Sequence, residues 1–234
     1  HRTCDGNYLF LDIHHIVADG TSLGIILNDI NRAYSGEKLE VEAYTSYDLA
    51  LDNRDALASD AYKNAENYYK SVFENAGGSI NFYPDKSGAA PTAEMYHRET
   101  SEFSVQDVKA FCKKHGITEN VFFISAFGIT LGKYNFRKDA VFTTIYHGRN
   151  DSRLSDTVGM LVKTLPVYCD FSGSTADCLN AVQQQLINSM NNDIYPFSQI
   201  SHEFNIKADA MVTYQGDNFA FDNIGGAYAQ EEPV

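Results

Sequence analysis

The seven residues HHIVADG, His14 to Gly20, constrain this chain more than any other stretch. They follow YLFLDI (Tyr8 to Ile13), an apolar run with the look of a strand. They precede a segment whose apolar residues Leu23, Ile26, Leu27, Ile30 and Tyr34 recur at helical spacing. The chain must therefore pass from strand to helix through a short turn that carries two imidazoles, a carboxylate and a glycine. With this chain's own His, Asp and Gly content, the pattern H-H-x-x-x-D-G is expected by chance in roughly one such sequence in a thousand.

If Ile13, His14 and His15 remain extended, their side chains alternate and the two rings point to opposite faces. One histidine then reaches substrate while the other is packed. Asp19, a carboxylate at a turn, is suited to holding an arginine or capping backbone amides rather than touching reacting atoms. Gly20 permits a close approach or a backbone conformation that a side chain would block. Thr21 or Ser22 is expected to cap the helix that follows.

HHIVADG resembles the core motif of the condensation domains of nonribosomal peptide synthetases, within the chloramphenicol acetyltransferase-like superfamily. Later segments carry the same resemblance in the family's order. SYDLAL (Ser46 to Leu51) is similar to its Y-x-D-Y-A segment, and IYHGR (Ile145 to Arg149) to its strand ending in G-R. VGMLVKTLPV (Val158 to Val167) resembles I-G-F-V-N-T-L, NNDIYPF (Asn191 to Phe197) resembles Q-D-x-P-F, and MVTYQG (Met211 to Gly216) resembles F-x-x-Q-N. The resemblance runs from about His1 to Gly216. It implies an α+β (α/β sandwich) fold of the chloramphenicol acetyltransferase-like two-lobed kind, incomplete at both ends. Residues 1–85 are expected to be the remaining part of the amino-terminal lobe and 86–234 the larger part of the carboxy-terminal lobe.

The local patterns agree with layered sheet and helix. Short helical character surrounds Tyr47 to Asp52, and Ser59 to Asn75 places Tyr62, Ala65, Tyr69, Val72 and Phe73 on one helical stripe. Gly77 to Thr92, rich in Gly, Ser and Pro, is the expected linker. Met95 to Phe103 is expected to be a strand. Ser104 with Asp107 opens a helix as a capping box, and a more apolar helix runs from Thr118 to about Asn135. Ala140 to His147 and Leu161 to Phe171 are expected to be buried strands, and Ser174 to Asn191 a helix.

A net charge of −13 argues against nucleic-acid binding, which needs a basic surface. No apolar run approaches the roughly 20 residues of a membrane span, and no signal peptide is visible, so a cytoplasmic location is expected. Cys4, Cys112, Cys169 and Cys178 show no metal-ligand spacing and are expected to be free thiols.

The resemblance implies amide formation between two thioesters carried on phosphopantetheine arms. The partners it implies are an upstream donor and a downstream acceptor peptidyl carrier, with an adenylation domain adjacent; no cofactor or metal is implied in the domain itself. No covalent enzyme intermediate is required, in keeping with the absence of a nucleophile elbow. By resemblance His15 is the catalytic histidine, either as general base or by orienting the amine and stabilising its developing charge. The Gly20 amide is the family's candidate for meeting the thioester carbonyl. His14, Asp19 and Arg149 are structural supports, with Arg149 holding Asp19 from the other lobe.

Ser22, Lys163 and Gln215 are candidate tunnel-lining residues. Lys163 stands where the family usually has Asn, and its ammonium is expected to extend into solvent. Gly216 stands where many members have Asn. Asn150 replaces the glutamate of the H-G-R-E segment of epimerization domains, which favours condensation over epimerization. Two alternatives remain open: a free-standing acyltransferase that uses a coenzyme A thioester, and a non-catalytic scaffold that recruits carriers.

Overall fold

The computed structural model describes residues 6, 8–74, 76, 94–206, 209–215, 223–224 and 227–228. The linker expected at 77–92, together with Cys4 and Gly216, lies outside the described residues. Seven helices are described: α1 (Gly20–Tyr34), α2 (Ser46–Ala56), α3 (Asp60–Phe73), α4 (Val105–His115), α5 (Glu119–Tyr134), α6 (Thr175–Asn191) and α7 (Phe197–Glu203). The strands are β1 (Asp139–Tyr146), β2 (Lys163–Asp170), β3 (Met211–Val212), β4 (Asn223–Ile224) and β5 (Ala227–Tyr228).

The helix starts follow from polar caps. Thr45, Ser59, Ser104, Thr118 and Ser174 each precede a helix and accept a backbone N–H from its first turn. At Thr45, Ser104 and Ser174 an aspartate three residues on returns the bond to the cap's own amide, which completes a capping box. Helix α4 ends where Gly116 takes up φ +67, a left-handed conformation that favours glycine.

The chain divides into two compact units, and neither is continuous in sequence. The larger draws on the described residues of Ser59–Tyr146 and Lys163–Tyr214. Its sheet has the order β2-β1-β3; β1 pairs antiparallel with β2 from Asp139↔Asp170 to Tyr146↔Lys163, and parallel with β3 at Thr143↔Met211. Side chains alternate across β1. Ala140 and Phe142 pack with Ile124 and Leu131 of α5 and with Val182 and Leu186 of α6. Val141 faces the opposite way, to Tyr69 and Phe73 of α3 and Ile200 of α7. With helices on both faces, β1 is buried on both sides, and its threonines Thr143 and Thr144 donate to Ala210 O and Val212 O. Helix α5 lies so close to the sheet that a Cβ on Gly128 would stand 2.8 Å from Cys169 and 2.9 Å from the Phe142 ring.

The second unit draws on the described residues of His1–Ala58, His147–Val162 and Gln215–Val234. It contains α1, α2 and the segment that follows β1. Helix α3 belongs to the larger unit because its stripe of Ala65, Tyr69 and Phe73 is buried there, so these units differ from the expected division at residue 85.

Two expected strands are absent. Tyr8 to Ile13 and Met95 to Phe103 make no ladder among the described residues, and their side chains are exposed. A β-run needs a neighbouring strand to complete its ladder, and among the described residues neither segment is in one. Cys112, Cys169 and Cys178 are free thiols, with Cys169 Sγ 3.5 Å from Cys178 Sγ in the core of the larger unit.

Candidate functional site

His15, Ile16 and Val17 form a turn, so His15 does not continue the extended run of Tyr8 to Ile13. The turn is closed by Val17 N donating to His14 O at 3.1 Å, and by Ile16 N donating to His14 Nδ1, also at 3.1 Å. His14 therefore spends one ring nitrogen on the turn that presents His15, whose ring is exposed. A turn, not strand alternation, separates the two histidines, and His14 is exposed rather than packed. Ile16 and Val17 border a cavity of about 290 Å³ whose other walls include Leu49, Asn53 and Met160.

Helix α1 begins immediately after the turn. Its cap is Asp19 itself, with φ −114 and ψ −178, and not Thr21 or Ser22 as the sequence suggested. The Asp19 carboxylate accepts from Ser22 N at 2.8 Å and becomes the N-terminal anchor of the helix. Gly20 is the first helical residue and is absent from the described glycines with positive φ, which are Gly36, Gly116 and Gly148. As the first residue of α1, Gly20 has no intrahelical acceptor for its N–H.

Asp19 also receives Arg149, as the resemblance implied. Arg149 Nη1 donates to Asp19 Oδ2 at 2.9 Å and Nη2 donates to Oδ1 at 3.0 Å, a bidentate pair. The side chains are 5% and 0% exposed. Burial alone would push the Asp19 carboxyl up, but the Arg149 guanidinium and the amides of Ser22 and Leu161 outweigh it and hold the group at about 2. The second Nη1 proton goes to His147 O and the second Nη2 proton is shared between Ser22 Oγ and Thr157 O, while Nε has no partner among the described residues. Both residues fall in the same compact unit, so the pair is internal to that unit and not a tie between two.

The reason is the path of the chain after β1. Gly148 turns it with φ +70, and a Cβ there would stand 1.8 Å from Leu161 O. The segment then runs back along the helices of its own unit. Thr157 Oγ1 donates to Tyr44 O at 2.6 Å, Val158 N donates to Glu42 Oε1 at 2.9 Å, and Leu161 N donates to Asp19 Oδ2 at 3.0 Å. Farther out, Arg153 lies 4.4 Å above the Tyr44 ring and pairs with Asp52 at 3.1 Å and Asp151 at 2.6 Å. His147 Nδ1 accepts from Arg149 N at 3.0 Å; desolvation and the adjacent guanidinium hold its pKa below the ordinary imidazole range.

Three expected tunnel-lining residues are placed differently from one another. Ser22 is fully buried inside the Asp19–Arg149 cluster, where protein groups take all of its polar capacity. Lys163 belongs to the larger unit, where Nζ pairs with Asp193 Oδ1 at 3.0 Å and with Asp193 O at 3.1 Å. Its ammonium thus has two protein partners rather than extending freely into solvent, although the side chain keeps 29% of its exposure. Gln215 is exposed. The sequence reading missed Gly159, Leu161, Glu42 and Tyr44, which act through backbone atoms or at long sequence separation. It also missed the central place of Ser22, to which only the three-residue spacing from Asp19 pointed.

Among the described residues no helix is long and apolar enough to cross a membrane, and no three His, Cys, Asp or Glu side chains gather as a metal site.

Comparison with known proteins gives a consistent result. Among curated proteins the chain is 27% identical over 208 residues to Bacitracin synthase 2 of Bacillus licheniformis, covering 86% of this chain and 8% of that protein. It is 29% identical over 194 residues to Nonribosomal peptide synthetase sidC of Arthroderma benhamiae, covering 82% of this chain and 4% of that one. Among solved structures, the first condensation domain of the calcium-dependent antibiotic synthetase superposes with a TM-score of 0.69 at 18% identity, over 86% of this chain and 46% of that chain. A four-domain nonribosomal peptide synthetase bound to AMP and glycine gives 0.72 at 19% identity, over 87% and 16%. The chain therefore spans less than a tenth of those curated relatives and about half of that solved condensation domain. The neighbours share the α+β, chloramphenicol acetyltransferase-like fold. A family model described as Condensation domain matches residues 1–232, and this chain belongs to the condensation domain family.

Proposed function

We propose that the polypeptide carrying this chain forms amide bonds in nonribosomal peptide synthesis, transferring an acyl or peptidyl group from a donor thioester to the amine of an acceptor aminoacyl thioester. The observation that carries this reading is the buried Asp19–Arg149 pair at the start of α1, directly after the turn that holds the exposed His15.

In this reading both acyl groups ride on phosphopantetheine arms of carrier domains, with an adenylation domain as neighbour, in the cytoplasm. The acceptor nitrogen attacks the donor carbonyl carbon, the carbon–nitrogen bond forms and the carbon–sulfur bond breaks. The proton lost by the amine passes to the departing thiolate. His15 accepts or guides that proton and orients the amine. The Gly20 amide meets the carbonyl oxygen as negative charge collects on it. Asp19 and Arg149 touch no reacting atom and keep these groups in register.

The test supplies the synthetase polypeptide with a donor-loaded and an acceptor-loaded carrier and follows the acceptor carrier by mass. The expected result is donor mass appended to the acceptor. Transfer from a coenzyme A thioester to a free alcohol or amine, with none between carriers, would replace this reading with that of a free-standing acyltransferase.

A further inference from the structure

Ser22, expected from the sequence to cap α1 or line a tunnel, takes a different place in the structure. Its side chain is fully buried at the third position of α1, and its hydroxyl oxygen has four polar neighbours beyond its own residue. Two are donors, Gly159 N at 3.0 Å and Arg149 Nη2 at 3.0 Å, and they fill both lone pairs of the oxygen. Two are acceptors, Gly159 O at 2.8 Å and Asp19 Oδ1 at 2.9 Å, and they compete for one proton.

The competition has a clear winner. Asp19 already accepts from Ser22 N, both terminal nitrogens of Arg149 and Leu161 N, which occupies the four lone-pair sites of a carboxylate. Gly159 O receives Leu161 N at 3.1 Å, a donor it shares with Asp19. The hydroxyl proton therefore goes to Gly159 O. One oxygen thus grips both the N–H and the C=O of Gly159 and binds the guanidinium as well. Gly159 has little freedom on its other side, where a Cβ would stand 3.0 Å from Ser46 Cβ of α2.

We propose that Ser22 is a positioning residue for the amide-forming reaction: its hydroxyl locks the first turn of α1, and with it the Gly20 amide, to the Gly159–Leu161 backbone. Gly20 and Ser22 lie in the same helical turn, so a shift of one displaces the other. A donor that meets charge present mainly in the transition state must be fixed before the reaction, and a small misplacement lowers turnover more than it lowers binding. This inference rests on the reading of the chain as part of an amide-forming condensation enzyme.

The test measures kcat and KM for the loaded donor and acceptor carriers with the full synthetase polypeptide. Ser22→Ala is expected to lower kcat about tenfold to a hundredfold with both KM values unchanged, while Ser22→Thr, which keeps a hydroxyl, restores most of the turnover. Wild-type kcat in a folded Ser22→Ala protein overturns the proposal, as does a loss that merely tracks the folded fraction. Should Ser22→Ala fail to fold, Ser22→Thr and Ser22→Cys carry the test. A folded but slow Cys variant beside an active Thr variant supports the role, whereas equal turnover of the two, or a Cys variant that also fails to fold, overturns it. A parallel His15→Ala control separates the two levels: if it keeps full turnover, the catalytic reading itself fails whatever Ser22 does.

Discussion

The Arg149 guanidinium meets the Asp19 carboxylate through two parallel bonds of 2.9 and 3.0 Å across 130 positions of sequence. The pair sits where water cannot reach either charge. Its strength lies less in the mutual attraction, which largely offsets the cost of desolvating two ions, than in what each partner suffers if left alone. Arg149→Ala or Asp19→Ala should therefore cost about 3–5 kcal/mol, well above an exposed pair. Chemical denaturation of the two variants checks this; a loss below about 1 kcal/mol in both would mean that the buried charges are relieved in some other way. Arg149→Lys should recover only part of the loss, because an ammonium lacks the paired donors.

Acid stability follows from the same carboxylate. Asp19 is held at about 2 against an ordinary 3.8, so its folded-state pKa is depressed. Its contribution is present above pH 3.8 and is lost as pH falls from there through 2. The linked free energy is about 2 kcal/mol. Unfolding free energy measured from pH 5 down to pH 2 should fall less steeply in Asp19→Asn than in the wild type. Parallel slopes for the two proteins would contradict the depressed value.

Gly148 is predicted to accept no side chain. Its φ of +70 and the 1.8 Å approach that a Cβ would make to Leu161 O act together. The left-handed conformation alone costs about 1–3 kcal/mol for other residues, and the contact must be relieved by moving Leu161, whose amide binds Asp19. Gly148→Ala should therefore lower both stability and transfer activity, and Gly116→Ala, strained at φ +67 but with open space around its Cβ, should lower stability alone. Measuring melting temperature and transfer rate for both separates strain from displacement of the clamp; equal activity loss in the two would argue against the special role of Gly148.

Lys163 is expected to be structural. With Nζ held by Asp193 Oδ1 and Asp193 O, its charge is already met and is not available to a donor. Lys163→Asn should leave Asp193 without its cation, cost about 1 kcal/mol and leave the preference between acidic and neutral donor thioesters unchanged. Competition between two such donors checks this. A marked loss of acidic-donor preference in the variant would place Lys163 in the substrate path.

The sequence was most legible where structure is local. Ser59, Ser104, Thr118 and Ser174 announce helix starts because a short hydroxyl side chain satisfies amides three residues away, and each start falls where expected. The stripe of Ala65, Tyr69 and Phe73 is equally plain because helical periodicity maps directly onto one buried face. Asp19 with Arg149 was reached only through resemblance, since no local rule joins two residues so far apart. Tyr8 to Ile13 and Met95 to Phe103 show the reverse failure: β-forming composition alone does not make a strand, and both segments are exposed and outside any ladder among the described residues. Lys163 was misplaced because its partner, Asp193, lies in a loop after α6 and is invisible to periodicity. The two short pairings, β1 with β3 and β4 with β5, were too brief to leave a pattern.

In the proposed reaction, the turn closed by His14 and followed by the Asp19 cap presents His15 to the reacting thioesters. The most direct measurement is the single-turnover rate of transfer from a donor-loaded carrier to an acceptor-loaded carrier, comparing wild type, His15→Ala and His14→Ala at equal folded concentration. The account predicts that His15→Ala falls by at least about a hundredfold while keeping its melting temperature, as removal of an acid–base group does. His14→Ala, which loses the bond from Ile16 N, should chiefly lower stability and soluble yield. A folded His15→Ala protein that transfers at the wild-type rate would contradict the account.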